Sequence, residues 1–421
     1  MSKNIGLQED MVVQKELDEA PITKYQWKTL WASMTGYAMD GLDMMILAFV
    51  LPLIVADLAI NSAQAGSIAT ITLIGAVIGG YIFGVMADIY GRVKIFALTI
   101  LIFSVFTGLC ALATNLIMFD IFRFIAGLGL GGEFGIGMTL VSEAWNKKYR
   151  SRATAGVAIG FQLGIVLATL CAMLVAPYFG WRGVFLVGVL PALFAWWSRR
   201  SLEEPEIWIQ MKQKRKSQPT NKVPFSYLFD SPKKTGITIG LIIATGVQNF
   251  GFYGIMTWLP TMMSNELGFS FNKTGYWTIV TILGMIIGIA VFGYLADKWG
   301  RRPSYITFQV CAALIVWVFF QQTGGAILLV MGAFMGFFVN GMMGGYGALL
   351  AEHYPTEARS TASNFIFNTG RAIGGFGPLV IGYLALNHSL SWAMSLISFT
   401  YVLAALAFIF LIPETKGKEL I

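Results

Sequence analysis

GVMADIYGR at positions 84–92 and GYLADKWGR at positions 293–301 are two copies of one motif, separated by 209 residues. The same offset maps Glu143 onto Glu352, each of which begins a Glu-x6-Arg element. A single register that joins separate pairs of motifs indicates an internal duplication. The sequence therefore predicts a chain built from two similar halves.

The composition indicates that lipid, not water, surrounds most of the chain. Hydrophobic residues make up 56% of the sequence and charged residues 12%, whereas soluble domains carry about 25% charged residues. Apolar runs of about 20 residues, long enough to cross a bilayer, recur along the chain. We predict an all-α integral membrane protein in which twelve transmembrane helices form two pseudo-symmetric six-helix bundles. The predicted helices cover 26–55, 62–87, 93–114, 117–144, 152–177, 181–199, 235–263, 272–296, 303–322, 326–351, 360–386 and 391–412.

This interpretation divides the chain into five segments. The two bundles occupy residues 25–199 and 235–412. A charged linker with four prolines occupies residues 200–234, and residues 1–24 and 413–421 form the tails. We expect the linker and both tails on the cytoplasmic side.

The first part of the linker, EEPEIWIQMKQKRK, has two interpretations. It is either a solvated connection with a basic run or an interfacial helix. In the second case, Ile207, Trp208 and Met211 would face the lipid.

The basic residues set the expected orientation. Of the 29 Lys and Arg residues, only Arg123, Arg182, Lys273 and Arg371 fall outside the tails and inner loops, which leaves 25 on one side. Because Lys and Arg concentrate in cytoplasmic loops, we predict a multi-pass protein of the bacterial inner membrane with both termini in the cytoplasm. The asymmetry also accounts for the net charge of +7, so no nucleic-acid partner is expected.

The duplicated motifs resemble those of the major facilitator superfamily. The resemblance spans about residues 25–418 and rests on the G-x-x-x-D-x-x-G-R motifs, the Glu-x6-Arg elements, and EEPEIW and PETKG at the ends of the two halves. Within the superfamily, GLGLGGEFGIGMTLVSEAWNKKYRSRA and YFGWRGVFLVGVLP resemble the sialic acid:proton symporter group. The D-G-x-D element of helix one is shared with aromatic-acid:proton symporters and does not separate the two groups. The resemblance implies secondary active transport by alternating access.

The duplicated charges predict a gate at the cytoplasmic face. Such charges can pair across the inner rims of the two halves and hold the inward side shut. When solvated, each pair contributes about 0–1 kcal/mol, which suits contacts that are broken in every transport cycle. The alternative is that these residues only cap helices and follow the topology. They are Asp88, Arg92, Glu143, Arg150, Asp297, Arg301, Glu352 and Arg359.

Three acids inside predicted helices are candidates for proton coupling, because ionisable groups in a bilayer are costly and usually functional. Asp40 and Asp43 are three residues apart, so they share one face of helix one. Two such close carboxyls do not both ionise easily, which suits a proton carrier. The alternative is a structural pair with Arg123, for which we favour an orienting role. Glu133 in helix four is either a further proton site or a packing hydrogen-bond partner.

Arg371 in helix eleven is the predicted substrate anchor. Asn364 and Asn368 precede it by seven and three residues, a spacing that aligns the three side chains on one helix face. A guanidinium binds a carboxylate bidentately, and amides bind hydroxyl or carbonyl groups. The alternative is that Arg371 neutralises a buried acid. The repeat offset places Gln162 opposite Arg371. Further candidates for a site of mixed aromatic and polar character are Gln248, Asn249, Tyr253, Asn340 and Tyr346.

These residues favour the uptake of a small organic anion, such as sialic acid or another carboxylate, together with protons. Arginine takes the anion and the acids take the proton. The alternatives are an aromatic-acid or nicotinate-type proton symporter and a drug:proton antiporter, which would give Arg371 no obvious purpose.

An enzyme would need a nucleophile–base pair or a metal cluster, and the sequence contains neither pattern. Cys110, Cys171 and Cys311 lie in apolar segments without the spacing of a metal site. We expect no metal and no cofactor, with protons as the coupling ion. The expected partners are the organic anion, the proton and the lipid bilayer, and the expected state is a monomer.

Overall fold

The computed structural model describes residues 21–60, 62–217, 223–322 and 324–420. Within these ranges the chain forms helices and contains no strand. Ten of the described helical segments are long and apolar enough to cross a membrane. Most of the predicted N-terminal tail lies outside the described residues, as do five residues of the linker.

The first half contains six spans, as predicted. Predicted helices five and six are joined in α5, but the backbone leaves the helical conformation at Gly180, where φ is +62°. Span six therefore consists of the end of α5 and the short helix α6. The helices of this half are α1 (Lys24–Asp57), α2 (Ser62–Tyr90), α3 (Arg92–Cys110), α4 (Leu116–Ala144), α5 (Arg150–Val187) and α6 (Leu190–Ser201).

The second half completes the twelve-helix architecture with six spans made from more pieces. A linker helix, α7, precedes them. The helices are α7 (Glu206–Ser217), α8 (Pro232–Asn265), α9 (Phe271–Lys298), α10 (Arg301–Phe319), α11 (Gly325–Gly341), α12 (Tyr346–His353), α13 (Arg359–Gly374), α14 (Gly377–Leu384), α15 (Leu390–Ser395) and α16 (Ile397–Phe410).

Spans ten, eleven and twelve are each interrupted once. The 3-10 turn Met342–Gly345 joins α11 to α12, and short breaks separate α13 from α14 and α15 from α16. Span eleven is absent from the ten long apolar segments because α13 is both short and polar. Irregular backbone at membrane depth occurs where it is buried in protein or lines a cavity.

Glycine allows close helix packing at equivalent positions in both halves. A Cβ added to Gly79 of α2 would lie 1.9 Å from the Leu128 carbonyl oxygen of α4. At the repeat-related position, a Cβ added to Gly288 of α9 would lie 2.2 Å from the Phe337 carbonyl oxygen of α11. Only glycine permits such backbone contact. The duplication therefore extends from the motifs into the packing of the core.

The two halves meet along two repeat-related seams. Helix α13 packs against α2 and α4, and α5 packs against α9. We call the side of the protein that carries the α2–α3 and α9–α10 junctions the motif face, and the other side the opposite face.

The linker helix α7 packs on the protein at the motif face. Trp208 and Met211 are buried, and the Trp208 indole N–H donates to the Asp88 carbonyl oxygen at 3.1 Å. The Arg92 guanidinium lies 5.9 Å from the centre of the Trp208 ring. The linker interpretation that placed Trp208 and Met211 against lipid is therefore wrong, because the indole has a hydrogen-bond partner and a cation partner in the protein.

Candidate functional site

Glu143, at the end of α4, binds one arginine from each half. Its Oε1 atom lies 3.1 Å from Arg92 Nη2 in the same half and 2.6 Å from Arg359 Nη1 in the other half. Arg92 also pairs with Asp88 at 3.2 Å. All four side chains are fully buried. The structure therefore brings these four predicted gate residues into one cluster across the seam.

The other four predicted gate residues form the repeat-related counterpart of this cluster in the second half. Glu352 Oε1 lies 2.8 Å from Arg301 Nη2 in its own half and 2.9 Å from Arg150 Nη1 in the other half. Arg301 pairs with Asp297 at 3.2 Å. Burial means that the solvated estimate of 0–1 kcal/mol does not apply, because a buried pair that loses one partner costs about 3–5 kcal/mol.

Asp88 and Asp297 also cap helices of the opposite half. Asp88 accepts hydrogen bonds from the backbone N–H groups of Ser360 and Thr361, at 3.1 and 2.7 Å. Asp297 accepts from those of Ser151 and Arg152, both at 3.1 Å. These N–H groups belong to the first turns of α13 and α5, which have no intrahelical acceptors and favour negative charge. The same contacts thus cap the first turns of α13 and α5 and hold the two halves together at the seam.

Sequence reasoning missed two further acids of the motif face. Glu204 accepts from the N–H of Arg92 at 2.7 Å, and Glu414 accepts from that of Arg301 at 2.9 Å. Each acid lies beside a left-handed glycine that begins the helix, Gly91 or Gly300 in the paired motifs. Both acids lie in the elements EEPEIW and PETKG at the ends of the two halves. They are 210 residues apart, one more than the repeat offset of 209, so the offset does not map one onto the other.

A small cleft with a cavity volume of about 20 Å3 lies between the halves, between α1 and α5 on one side and α8, α11 and α13 on the other. It is bounded by Tyr37, Phe161 and Phe367, together with most of the predicted substrate residues. Six of those nine residues line it: Gln162, Gln248, Asn249, Tyr253, Asn340 and Arg371.

Arg371 and Asp40 form an ion pair across the seam at the cleft. Arg371 Nη2 lies 3.5 Å from Asp40 Oδ2, and both residues are at most 2% exposed. The guanidinium also lies 5.3 Å from the centre of the Phe367 ring, within the range of a cation–π contact. Arg371 Nε and Asp40 Oδ1 have no hydrogen-bond partner within the described ranges. The pair is therefore held by one long contact and retains bonding capacity on both sides.

Asp43, by contrast, is fully bonded within the first half. Arg123 Nη1 lies 3.1 Å from each carboxylate oxygen, and the Thr107 hydroxyl also donates to Asp43. Arg123 Nε donates to the Thr72 hydroxyl at 3.2 Å. Of the two acids on this face of α1, Arg123 thus binds Asp43, whereas Asp40 pairs with Arg371 of the other half.

Glu133 is buried in α4 without a hydrogen-bond partner. The residue is 1% exposed, and neither carboxylate oxygen is bonded within the described part of the chain. Its Oε1 atom lies against Gly36 of α1, where an added Cβ would be 2.2 Å away. The alternative for this residue, a packing hydrogen bond, is not seen among the described residues.

Three of the predicted substrate residues lie elsewhere. Asn364 Oδ1 accepts from the Gly135 N–H at 3.1 Å, and Asn368 Nδ2 donates to the Gly131 carbonyl oxygen at 2.9 Å. Both asparagines therefore bind the α4 backbone and close the seam, which corrects their placement in the cleft. The glycines explain the correction, since they let α13 approach α4 too closely for a ligand between them.

Tyr346 is the third correction. Its hydroxyl donates to the Ala244 carbonyl oxygen at 2.8 Å, and the side chain is fully buried. It packs against Tyr305 within the second half, with the ring centres 5.1 Å apart. The interruption between α11 and α12 separates its orientation from that of Asn340, which does line the cleft.

The family model of the Major Facilitator Superfamily matches residues 33–277 and 241–420. The chain belongs to this superfamily. This confirms the resemblance inferred from the paired motifs and the twelve-helix fold.

Curated relatives of this superfamily chain cover it almost completely. A protein of Haemophilus influenzae named "Putative metabolite transport protein" is 52% identical and is aligned over 95% of this chain and 99% of its own length. A protein of Cupriavidus pinatubonensis named "Probable 4-methylmuconolactone transporter" is 31% identical (93% and 91%). The sialic acid transporter NanX of Escherichia coli is 32% identical (93% and 95%).

The solved structure of the proton:xylose symporter XylE, bound to 6-bromo-6-deoxy-D-glucose, has the same fold. It matches with a TM-score of 0.79 at 20% identity, over 95% of this chain and 98% of that one. The superfamily chain is therefore a multi-pass membrane transporter of metabolites and not an enzyme, as predicted.

Proposed function

We propose that this transporter takes up a small organic anion together with protons, by alternating access of the central cleft. The observation that carries the proposal is the buried pair between Arg371 and Asp40. Its members come from different halves, Arg371 lines the cleft, and both keep one atom without a hydrogen-bond partner within the described residues. An arginine that lines the cleft and whose Nε–H group has no partner within the described residues is suited to bind a carboxylate.

Competition for Arg371 supplies the coupling. When the substrate carboxylate binds the guanidinium, Asp40 loses its only ion-pair partner within the described residues. A bare carboxylate is costly in a site of low dielectric constant, and protonation removes that cost. Substrate and proton therefore load together. Glu133, buried without a partner on the neighbouring α4, is the second proton site, whereas Asp43 and Arg123 hold the helices in place.

The motif face is the proposed cytoplasmic gate. In this structure the two charge clusters and the shared helix caps close that face, so substrate enters from the opposite face. The concentration of positive residues in the linker and inner loops supports a cytoplasmic location for the motif face. Topology reporters fused after residues 115 and 265 should report the outside, and one after residue 215 the inside; residue 215 outside would reverse the scheme.

Relatives named for sialic acid and for 4-methylmuconolactone support an organic metabolite as substrate but do not choose between them. The cleft lies within a single chain and needs no residue from a second copy, which supports transport by the monomer. No metal or cofactor has a part in this proposal, and the coupling ion is the proton.

The test is accumulation of labelled acids by proteoliposomes that contain the purified chain. The panel comprises sialic acid, lactate, nicotinate, muconate and aromatic acids, with xylose as a neutral control. We expect at least one acid to be concentrated when the outside is acidic and not when the pH gradient is collapsed. Accumulation of xylose alone, or uptake that ignores the gradient, would refute the proposal.

A further inference from the structure

Two amide groups of the second half line the cleft, and each has one buried polar atom without a partner within the described ranges; the two atoms have opposite hydrogen-bonding character. Gln248 Oε1 and Asn340 Nδ2 form no hydrogen bond within the described ranges. Gln248 is 1% exposed and Asn340 is 3% exposed, and both line the cleft. Unmade hydrogen bonds of buried groups are costly, so these atoms need a partner that the protein does not supply.

The hydrogen-bond network fixes which atom donates and which accepts. Gln248 Nε2 donates to the Val339 carbonyl oxygen at 2.8 Å and to Asn340 Oδ1 at 3.2 Å. A backbone carbonyl only accepts, so rotating the Gln248 amide would set two oxygens against each other. The free oxygen therefore belongs to Gln248, and the free N–H group belongs to Asn340.

A partner for both atoms must donate one hydrogen bond and accept another. A hydroxyl group does both, and a secondary amide does so with its N–H and its carbonyl. On the other wall of the cleft, Gln162 Oε1 also has no partner within the described residues. The Gln162 oxygen therefore needs a second hydrogen-bond donor from the ligand. An aromatic or unsaturated acid without hydroxyl or N–H groups satisfies neither oxygen once Arg371 holds its carboxylate.

Resting on the proposed transport of organic anions, we infer that the substrate is a carboxylate bearing several hydroxyl or amide groups, and that Gln248 and Asn340 select it. Sites built to bond a hydroxyl reject analogues that lack it, because the buried protein groups are then left unpaired. The pair thus discriminates against planar acids of similar size.

The test compares acids that differ only in hydroxyl groups. Quinate is paired with cyclohexanecarboxylate, and gluconate with hexanoate; N-acetylneuraminate adds an amide. Dissociation constants are measured by calorimetry on the purified full chain. We expect at least one hydroxylated acid to bind about 10-fold or more tightly than its unhydroxylated counterpart.

Two variants assign this preference to the pair. Asn340→Leu removes the free donor and leaves the bond from Gln248 to Val339 in place, and Gln248→Met removes the free acceptor. Each should reduce the preference for the hydroxylated acid to about 3-fold or less, mainly by weakening that acid. Gln322→Met, an equivalent change three residues after the end of α10, should leave the preference unchanged. Thermal unfolding identifies any variant that fails to fold, and either variant alone suffices.

The outcomes separate the two proposals. If acids bind through Arg371 but unhydroxylated acids bind as tightly as their partners, the inference is wrong and organic-anion transport stands. A preference that both variants preserve overturns the assignment to Gln248 and Asn340. If no acid binds, the proposed function fails and the inference fails with it.

Discussion

Glu143 and Arg359 lie in opposite halves of the chain, and their Oε1 and Nη1 atoms are 2.6 Å apart with both side chains fully buried. The repeat-related Glu352 and Arg150 make the same contact in the reverse direction at 2.9 Å. Because the sequence is duplicated, two equivalent ion pairs between the halves close the motif face. To open that face, both contacts must break and four charges must regain water.

Arg359→Ala should open the motif face. The change leaves Glu143 with Arg92 alone and removes a contact between the halves, at a cost of about 3–5 kcal/mol for a buried pair. A cysteine placed at Ser363, which is 1% exposed, should then react faster with a water-soluble thiol reagent. The measurement uses a background without the three native cysteines.

Arg182→Ala is the matched control for this experiment. Arg182 forms a 2.5 Å pair with Asp57 inside the first half, at the opposite face, and both side chains are partly exposed. Its removal should leave the labelling rate unchanged. Equal rates in wild type, Arg359→Ala and Arg150→Ala would contradict the role of the motif-face charges as a gate.

Arg371→Lys should weaken binding of the native anion by about 10-fold or more. The substitution keeps the positive charge but loses the planar fork that bonds a carboxylate bidentately. Neutral analogues without the carboxylate should bind wild type poorly and be little affected. Calorimetry on folded protein checks both statements, and unchanged affinity for the anion would place the anchor elsewhere.

Asp40→Asn should uncouple transport. The amide mimics the protonated acid, so the variant should exchange substrate at equal concentrations but fail to accumulate it when the outside is acidic. Glu133→Gln tests the second proton site in the same assay. If Asp40→Asn, Asp43→Asn and Glu133→Gln all concentrate substrate as wild type does, coupling through these acids is excluded.

Asp43→Asn should chiefly lower stability. It removes the acid that binds Arg123 with both oxygens and leaves a buried guanidinium without its counter-charge, at about 3–5 kcal/mol. The midpoint of thermal unfolding should fall further than in Asp40→Asn, because Asp43 binds its arginine through two contacts of 3.1 Å and Asp40 through one of 3.5 Å. The reverse order would assign the structural role to Asp40.

The Asp57–Arg182 pair should give a small pH-dependent contribution to stability. The hydrogen bond from Arg182 lowers the pKa of Asp57 below its ordinary value. The contribution is therefore present above the unfolded pKa of about 3.9 and is lost as the pH falls through the lower folded value. Asp57→Asn should unfold at a lower temperature than wild type at pH 7, and the two curves should converge in acid. A difference that persists at low pH would point to packing.

The 209-residue register predicted more than the motifs themselves. It mapped the gate charges onto each other, and the structure shows both clusters with the same internal geometry. It also relates glycine contacts that lie outside any sequence motif, such as those of Gly79 and Gly288. The register predicts these packing contacts because a duplicated bundle repeats its local packing.

Partners across the seam were harder to predict. Periodicity places Asp40 and Asp43 on one face of α1, but the rotation and depth of neighbouring helices decide that one meets Arg371 and the other Arg123. The same limit explains Asn364 and Asn368, which share a helix face with Arg371 but meet the glycine-rich backbone of α4. Sequence spacing fixes the face of a helix and not the distance to its neighbour.

The caps that Asp88 and Asp297 provide have a consequence for biogenesis. Helix α5 is translated early, but the carboxylate that binds the Ser151 N–H belongs to Asp297 at the end of α9. Until α9 has been synthesised and inserted, the first turn of α5 relies on water at the membrane surface. The first turn of α5 therefore gains this cap only after the first two spans of the second half have been synthesised, so the first half completes its hydrogen bonds together with the second.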